Sequence, residues 1–301
     1  MRITSNMMTS QQLAGLQTNM ALLQKAQQQV TSGKRLSAPS DDPMATMSIM
    51  QSGSSLRALE QYRTSVQSAS SRLGIEDSAL QQLSDLMSRA KVLGVQASGD
   101  TATASTRTLA NTEVQQIFQD IVAIGNTKYG KEYLFGGQQS ATEPFAATGS
   151  GATLDYTSTN PSGQRAVGIG DGQTLAPNHD GTQILVNTGV LDAVKSLSAA
   201  LDPTSSTYGQ AGISAALTKI DAASNAVQSV VGDTGATANS LTVAGQNIDA
   251  LKLNLTTFKS NLEEVDVETA MTELTTRQVA YQAAMLATSK VMGLTLTDYL
   301  R

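Results

Sequence analysis

Apolar residues in this chain recur at alternating intervals of three and four, and that interval admits few folds. A mean period near 3.5 keeps a narrow stripe on one side of an α-helix, and such a stripe is buried only against another helix. The first run is Leu13, Leu16, Met20, Leu23, Gln27 and Val30, stopped by Thr31-Ser32-Gly33. A longer run follows through Leu59, Tyr62, Val66, Ala69, Leu73, Glu76, Leu80, Leu83, Met87, Ala90, Gly94 and Ala97, interrupted at Glu76 and Gly94. After the small, polar turn Ser98-Gly99-Asp100, a third runs through Ala110, Val114, Ile117, Ile121 and Ile124.

The pattern returns near the other end, unbroken, in Leu241, Ala244, Ile248, Leu251, Leu255, Phe258, Leu262 and Val265. Asp266 is a predicted N-cap for a final run through Val267, Met271, Leu274, Gln278, Tyr281, Met285, Thr288 and Met292. A short helix is expected around Leu191, Val194, Leu197 and Leu201, ended by Asp202-Pro203, and a weaker one around Ile213, Leu217, Ile220, Val227 and Val231. Between the helical blocks, residues 136–189 are rich in Gly, Thr, Ser and Pro. Short alternations at Leu154-Asp155-Tyr156 and Arg165-Ala166-Val167-Gly168-Ile169, then the turn Gly170-Asp171-Gly172, predict a small β insert.

The predicted fold is therefore mainly α: a long antiparallel bundle or coiled coil formed by both chain ends, with a small β-rich domain inserted in the middle. Residues 1–43 and 264–301 are expected to form terminal coiled-coil segments, 44–135 and 190–263 a helical bundle, and 136–189 a β-rich outer domain.

Composition narrows the function. With 20 Lys and Arg against 25 Asp and Glu, the net charge is −5 and the basic residues are scattered, which argues against nucleic acid as a partner. Charged residues reach only 15%, and the absence of Trp with 4% aromatics favours Leu, Ile, Val, Met and Ala seams over an aromatic-lined pocket. No Cys is present, which removes disulfides, thiolate metal sites and thiol nucleophiles, and the single His179 removes any site needing two imidazoles. The polar start Met1-Arg2-Ile3-Thr4-Ser5-Asn6 lacks an apolar signal region, and no stretch reaches the roughly 18 to 20 apolar residues of a membrane span.

Isolated polar groups read as structural. Ser40-Asp41-Asp42-Pro43 is expected to be a helix cap, with an Asp or Ser oxygen accepting from free amides and Pro in the first turn. Gly168-Ile169-Gly170-Asp171-Gly172 lacks the Lys and the helix start of a phosphate loop and is expected to be a hairpin turn. His179, within Pro177-Asn178-His179-Asp180-Gly181, is expected to be an exposed loop residue, and Lys34 and Arg35 a solvated loop. No catalytic, metal-binding or cofactor-binding residue is predicted. An isolated helix with one narrow stripe is marginal in water, so both chain ends are expected to order on assembly.

Three blocks carry a family resemblance. At the N-terminus stand Met1-Arg2-Ile3-Thr4, Gln29-Val30-Thr31-Ser32-Gly33-Lys34-Arg35-Leu36 and Pro39-Ser40-Asp41-Asp42-Pro43. In the middle stand Asn126-Thr127-Lys128-Tyr129-Gly130-Lys131-Glu132-Tyr133-Leu134-Phe135-Gly136-Gly137 and Glu143-Pro144-Phe145. Toward the C-terminus stand Leu253-Asn254-Leu255, Glu264-Val265-Asp266-Val267-Glu268-Thr269-Ala270, Tyr281-Gln282-Ala283-Ala284-Met285 and Leu294-Thr295-Leu296-Thr297-Asp298-Tyr299-Leu300. Together they resemble the flagellin superfamily, and the middle block resembles its hook-filament junction branch.

The resemblance implies a structural, non-enzymatic adaptor that joins the hook-associated zone to the filament by coiled-coil packing. It implies Leu13, Leu16, Met20, Leu23 and Val30 as an N-terminal assembly seam, and Met271, Leu274, Tyr281, Met285 and Met292 as a C-terminal assembly and chaperone seam. Implied partners are other copies of the chain, a hook-side junction protein, flagellin and a cytoplasmic export chaperone, with an extracellular location reached by type III export. The nearest alternative is a filament flagellin. A cytoplasmic signalling coiled coil leaves the β insert unexplained, and a hydrolase using Asp171, Asp180 or His179 is remoter still.

Overall fold

The computed structural model describes residues 2–99, 102–159 and 161–299. The side chains of Arg2, Ile3, Thr4, Met292 and the closing stretch 294–300 lie outside the described residues, as do Met1 and Asp100. The helical expectation holds: α1 is Arg2–Ser32, α2 Pro43–Ser98, α3 Ala104–Gly125, α4 Val190–Leu201, α5 Gln210–Glu263 and α6 Val267–Tyr299. Between α3 and α4, among the described residues, lie three separate antiparallel hairpins. They pair β1 (Lys128–Tyr129) with β2 (Glu132–Tyr133), β3 (Phe145–Thr148) with β4 (Asp155–Ser158), and β5 (Val167–Gly170) with β6 (Gln173–Leu175). The predicted turn at Asp171-Gly172 joins β5 to β6.

One expectation needs correction. The weak helix around 213–231 and the seam from Leu241 are a single helix, α5. Its buried residues Ile213, Ile220, Val227, Thr234, Leu241 and Ile248 fall at strict seven-residue intervals, the coiled-coil repeat. The polar member, Thr234, hides the continuity in sequence. Its hydroxyl donates to the Val230 carbonyl at 2.8 Å, so the buried oxygen is satisfied within the helix.

The chain divides into two compact units, Leu59–Asp249 and a terminal unit of 1–58 with 250–301. In the first, α2, α3, α4 and α5 bury Leu83, Met87, Ile121, Leu197 and Ile220, and the intervening segment adds Leu134, Phe135, Phe145, Ile184 and Leu185 to the same core. A second cluster joins Val66, Ala69 and Leu73 of α2 to Leu241 and Ile248 of α5. Both interruptions in the α2 stripe find their cause here. At Gly94 an added methyl would sit 2.7 Å from Leu217 Cδ2 and 3.3 Å from Leu197 Cδ1, so the missing side chain admits two leucines. Glu76 faces His179.

The middle sequence block is a clasp between α3 and the hairpins. Asn126, just past α3, pairs with strand β3 as another strand would: its Nδ2 donates to the Phe145 carbonyl at 2.7 Å and its Oδ1 accepts the Phe145 amide at 3.0 Å. The Arg72 guanidinium donates to the Leu134 carbonyl at 2.6 Å, and Leu134 and Phe135 are buried. Gly137 then turns with φ +57, and a Cβ there would lie 2.5 Å from the Ser162 carbonyl oxygen. Gly137→Ala should therefore combine a left-handed backbone cost with a clash against main chain, lowering unfolding free energy by about 2 kcal/mol or more in urea titration.

Candidate assembly surface

In the terminal unit, α1 and α6 pack along each other, so the two ends of the chain meet. The loop after α1 fixes their register. The Arg35 amide donates to the Glu263 carbonyl at 2.8 Å, and the Val265 amide donates to the Gly33 carbonyl at 3.0 Å. Arg35 Nη2 donates to the Leu262 carbonyl at 3.0 Å, placing a cation on free carbonyls at the end of α5. Lys34 Nζ stands 2.5 Å from Glu263 Oε1, and that contact holds the Glu263 carboxyl below its usual range. Lys34 and Arg35 are exposed, as expected, and in addition clasp the loop after α1 to the end of α5.

The Ser40-Asp41-Asp42-Pro43 turn divides its work. Asp42 Oδ1 accepts the Ala45 amide at 3.0 Å at the start of α2, with Pro43 as the first helical residue. Asp41 Oδ2 accepts the Ser37 and Ala38 amides, each at 3.1 Å, while Oδ1 meets Lys25 Nζ at 2.8 Å. The Lys25 contact first, then the two amides, hold the Asp41 carboxyl below its ordinary value. Ser40 is exposed. Asp266 caps α6 through the Glu268 amide and the Thr269 hydroxyl, both at 3.0 Å.

The seams themselves split. Among the described residues, the less exposed positions of α1 are 12, 16, 19, 23, 26 and 30, with 29 beside them, and those of α6 are 270, 274, 277, 281, 284 and 288. Each set alternates by four and three, and the packed pair of helices puts these sets between them. Leu16, Leu23 and Val30 therefore lie on the shielded side of α1, and Leu274 and Tyr281 on that of α6. Leu13, Met20, Met271 and Met285 are exposed. Thr288 belongs to the predicted run, whereas Gln12, Asn19, Ala26, Ala270, Arg277 and Ala284 fall outside the stripes of large apolar residues. The same four-three interval in small and polar residues was the available signal.

Among the described residues, the terminal unit buries only Ala26, Ala45, Ser52 and Ala270. It meanwhile exposes Met7, Leu13, Met20, Met44, Met47, Met50, Leu251, Leu253, Phe258, Val267, Met271, Val279, Met285 and Leu286. Four small side chains offset little of the roughly 1–2 kcal/mol per residue of backbone ordering. Exposed apolar rows of this extent mark an interaction surface.

His179 departs from expectation. It is not an exposed loop residue: its Nδ1 lies 2.6 Å from Oε1 of Glu76, whose side chain is 1% exposed. The His179 amide also donates to that oxygen at 3.3 Å. The hydrogen bond to Glu76 outweighs burial and raises the imidazole pKa above its ordinary value. Asp180 is occupied by backbone, accepting the Gln183 amide at 2.8 Å and the Gly163 amide at 3.0 Å, while Asp171 is exposed at the β5–β6 turn. Among the described residues, no group of three or more His, Cys, Asp or Glu is placed to hold a metal, and no helix is long and apolar enough to cross a membrane.

Paired terminal helices with exposed apolar stripes, in a chain whose other unit has its own core, are the arrangement of a structural helical protein rather than of a pocketed enzyme. Residues 3–140 match the bacterial flagellin N-terminal helical region and residues 217–300 the bacterial flagellin C-terminal helical region, and the chain belongs to the flagellin family. It is similar to flagellar hook-associated protein 3 of Escherichia coli (strain K12), 29% identical over 147 residues, covering 48% of this chain and 46% of that protein. The chain thus spans about half the length of that relative. It is also similar to flagellin FlaB2 of Treponema pallidum (strain Nichols), 28% identical over 293 residues and 95% of each chain. Among solved structures, the flagellar junction protein FlgL from Legionella pneumophila superposes with a TM-score of 0.58 at 16% identity, covering 70% of this chain and 98% of that one. At that identity the likeness is one of fold.

Proposed function

We propose that the chain is a structural subunit of the bacterial flagellum, an adaptor joining the hook-associated zone to the flagellin filament by helix packing and carrying out no catalysis. The observation that carries the reading is how little the terminal unit buries among its described residues, beside its rows of exposed Met and Leu. Likeness to a hook-associated protein 3 supports the junction as its place, and the fold of a junction protein is consistent with it.

In this proposal residues 1–43 and 264–301 pack against copies of the same chain, a hook-side junction protein and flagellin. Residues 44–135 and 190–263 form a middle bundle, with 136–189 outermost. Leu13, Met20, Met271 and Met285 meet neighbours, while Leu16, Leu23, Val30, Leu274 and Tyr281 hold the helix pair together. Before export the exposed face of α6 is offered to a cytoplasmic chaperone, and the assembled subunit is extracellular.

Deleting the gene should leave hooks intact while filaments fail to attach and flagellin accumulates in the medium, scored by electron microscopy. Normal filaments on the deletion strain would overturn the proposal. A second reading, a filament subunit, draws on the likeness to FlaB2 over 95% of both chains. Growth of the purified protein alone into long filaments would establish that reading instead.

A further inference from the structure

The Arg72 side chain of α2 is only 11% exposed, and its charge is short of partners. A guanidinium carries five N–H donors. Among the described residues, Arg72 uses one of them in a hydrogen bond, to the Leu134 carbonyl, and its Nε is buried without a partner. Its Nη1 stands 3.7 Å from Glu132 Oε2, beyond hydrogen-bond reach. That oxygen is already engaged, because Arg165 Nη1 donates to it at 3.0 Å. One carboxylate thus serves two guanidiniums. Burial, and then the Arg165 charge, push the Arg72 pKa down, and Glu132 and Glu76 offset only part of the fall. Since a guanidinium stays protonated, that fall measures missing negative charge.

Arg72, Arg165 and Glu132 line a cleft of about 300 Å³, at the small end of the range for ligand pockets. From α2 the cleft also receives the Ser65 and Ser68 hydroxyls, which make no hydrogen bond to the protein among the described residues. Ala69, Val167, Pro177 and Tyr129 supply apolar surface. The segment carrying Arg165 is fixed in place, since the Arg165 amide donates to Oδ1 of the buried Asn178 at 2.9 Å. All of these residues fall within Leu59–Asp249, the unit with its own core, so no neighbouring subunit is needed to form the cleft.

We infer that this cleft binds a small organic carboxylate with an apolar body, its oxygens bridging the Arg72 and Arg165 guanidiniums. Two cations against one carboxylate leave a single positive charge, which a monoanion cancels, and the fork of a guanidinium matches the two oxygens of a carboxylate. The apolar body covers Ala69, Val167 and Pro177. A phosphate dianion brings a second charge against Glu132 and nothing to cover that surface. A ligand held in this way ties α2 to the segment entering β5 and stabilises the folded unit by mass action.

The test titrates the full-length protein with benzoate by calorimetry, with neutral benzamide and inorganic phosphate as comparisons. Benzoate should bind saturably at one site, at least about tenfold tighter than benzamide, and should raise the urea midpoint. Arg165→Gln, at an exposed side chain, and Arg72→Gln should each weaken benzoate at least about fivefold. Glu132→Gln should tighten it, because the competing carboxylate is gone. Lys91→Gln removes a cation about 28 Å further along α2 and should bind as the wild type does. Should Arg72→Gln fail to fold for want of its bond to Leu134, Arg165→Gln and Glu132→Gln decide the question with opposite signs.

Equal binding of benzoate and benzamide, tighter binding of phosphate than of benzoate, an unchanged affinity in Arg165→Gln, or a weaker one in Glu132→Gln would each overturn the inference. None of these measurements depends on assembly into a flagellum, so the adaptor reading and the cleft stand or fall separately.

Discussion

Replacing His179 with alanine is expected to lower the unfolding free energy of the full chain by about 3 kcal/mol, because it strands a buried carboxylate. Glu76 sits in the apolar stripe of α2 at 1% exposure. Its Oε1 is held by the His179 ring at 2.6 Å and the His179 amide at 3.3 Å, and its Oε2 has no hydrogen-bond partner among the described residues. The loop around His179 is tied to α2 through this one carboxylate oxygen. A double variant, His179→Ala with Glu76→Leu, should recover most of the loss, since leucine restores the stripe and removes the charge. Urea unfolding of the three proteins measures this, and an unchanged midpoint in His179→Ala would refute it.

The pair also sets a pH dependence. The folded pKa of His179 is raised above its ordinary 6.5 by the bond to Glu76. Its contribution to stability is therefore complete below about pH 6.5 and lost as the pH climbs through the folded pKa. Wild-type protein should become easier to unfold along that rise, and His179→Ala should lack this component of the slope.

The second large effect concerns the paired terminal helices. Leu23→Asp or Leu274→Asp should abolish filament attachment while leaving the unit Leu59–Asp249 folded. Both residues lie on the shielded side of the α1–α6 pair, and burying a polar group there without a partner costs roughly 2 kcal/mol or more. That exceeds a tenfold change in an association constant for each contact affected. Motility and electron microscopy read the function, and a circular dichroism melt reads the fold. Full motility in either variant would remove the seam from the assembly, and a collapsed melt would show that the terminal helices support more than themselves.

How legible each feature was depended on the range of the interaction behind it. The stripe of α2 was plain because helical period is local, and Asp266 and the Asp42-Pro43 turn cap their helices through groups within three residues. The continuity of α5 was obscured at Thr234, whose satisfaction by the Val230 carbonyl is also local but reads as polarity in a search for apolar residues. Lys34 and Arg35 are solvated as their loop composition suggests, but their pairing was not legible because the partners, Glu263 and Leu262, lie far along the chain. His179 and Glu76 are 103 residues apart, so an ionic interruption in one stripe and a lone imidazole in a loop carried no mutual signal.

Order along the chain, the helical class and the location of the hairpins follow from periodicity and turn chemistry, which act over a few residues and are written into any short window. Which stripe faces inward is a different kind of fact. Leu13 and Met20 sit in the same alternation as Leu16 and Leu23, and either pair can satisfy it. Packing of α1 on α6 shielded the second pair and left the first exposed. A helix offers several nearly equal apolar edges, and only the surface brought against it decides which one loses its water.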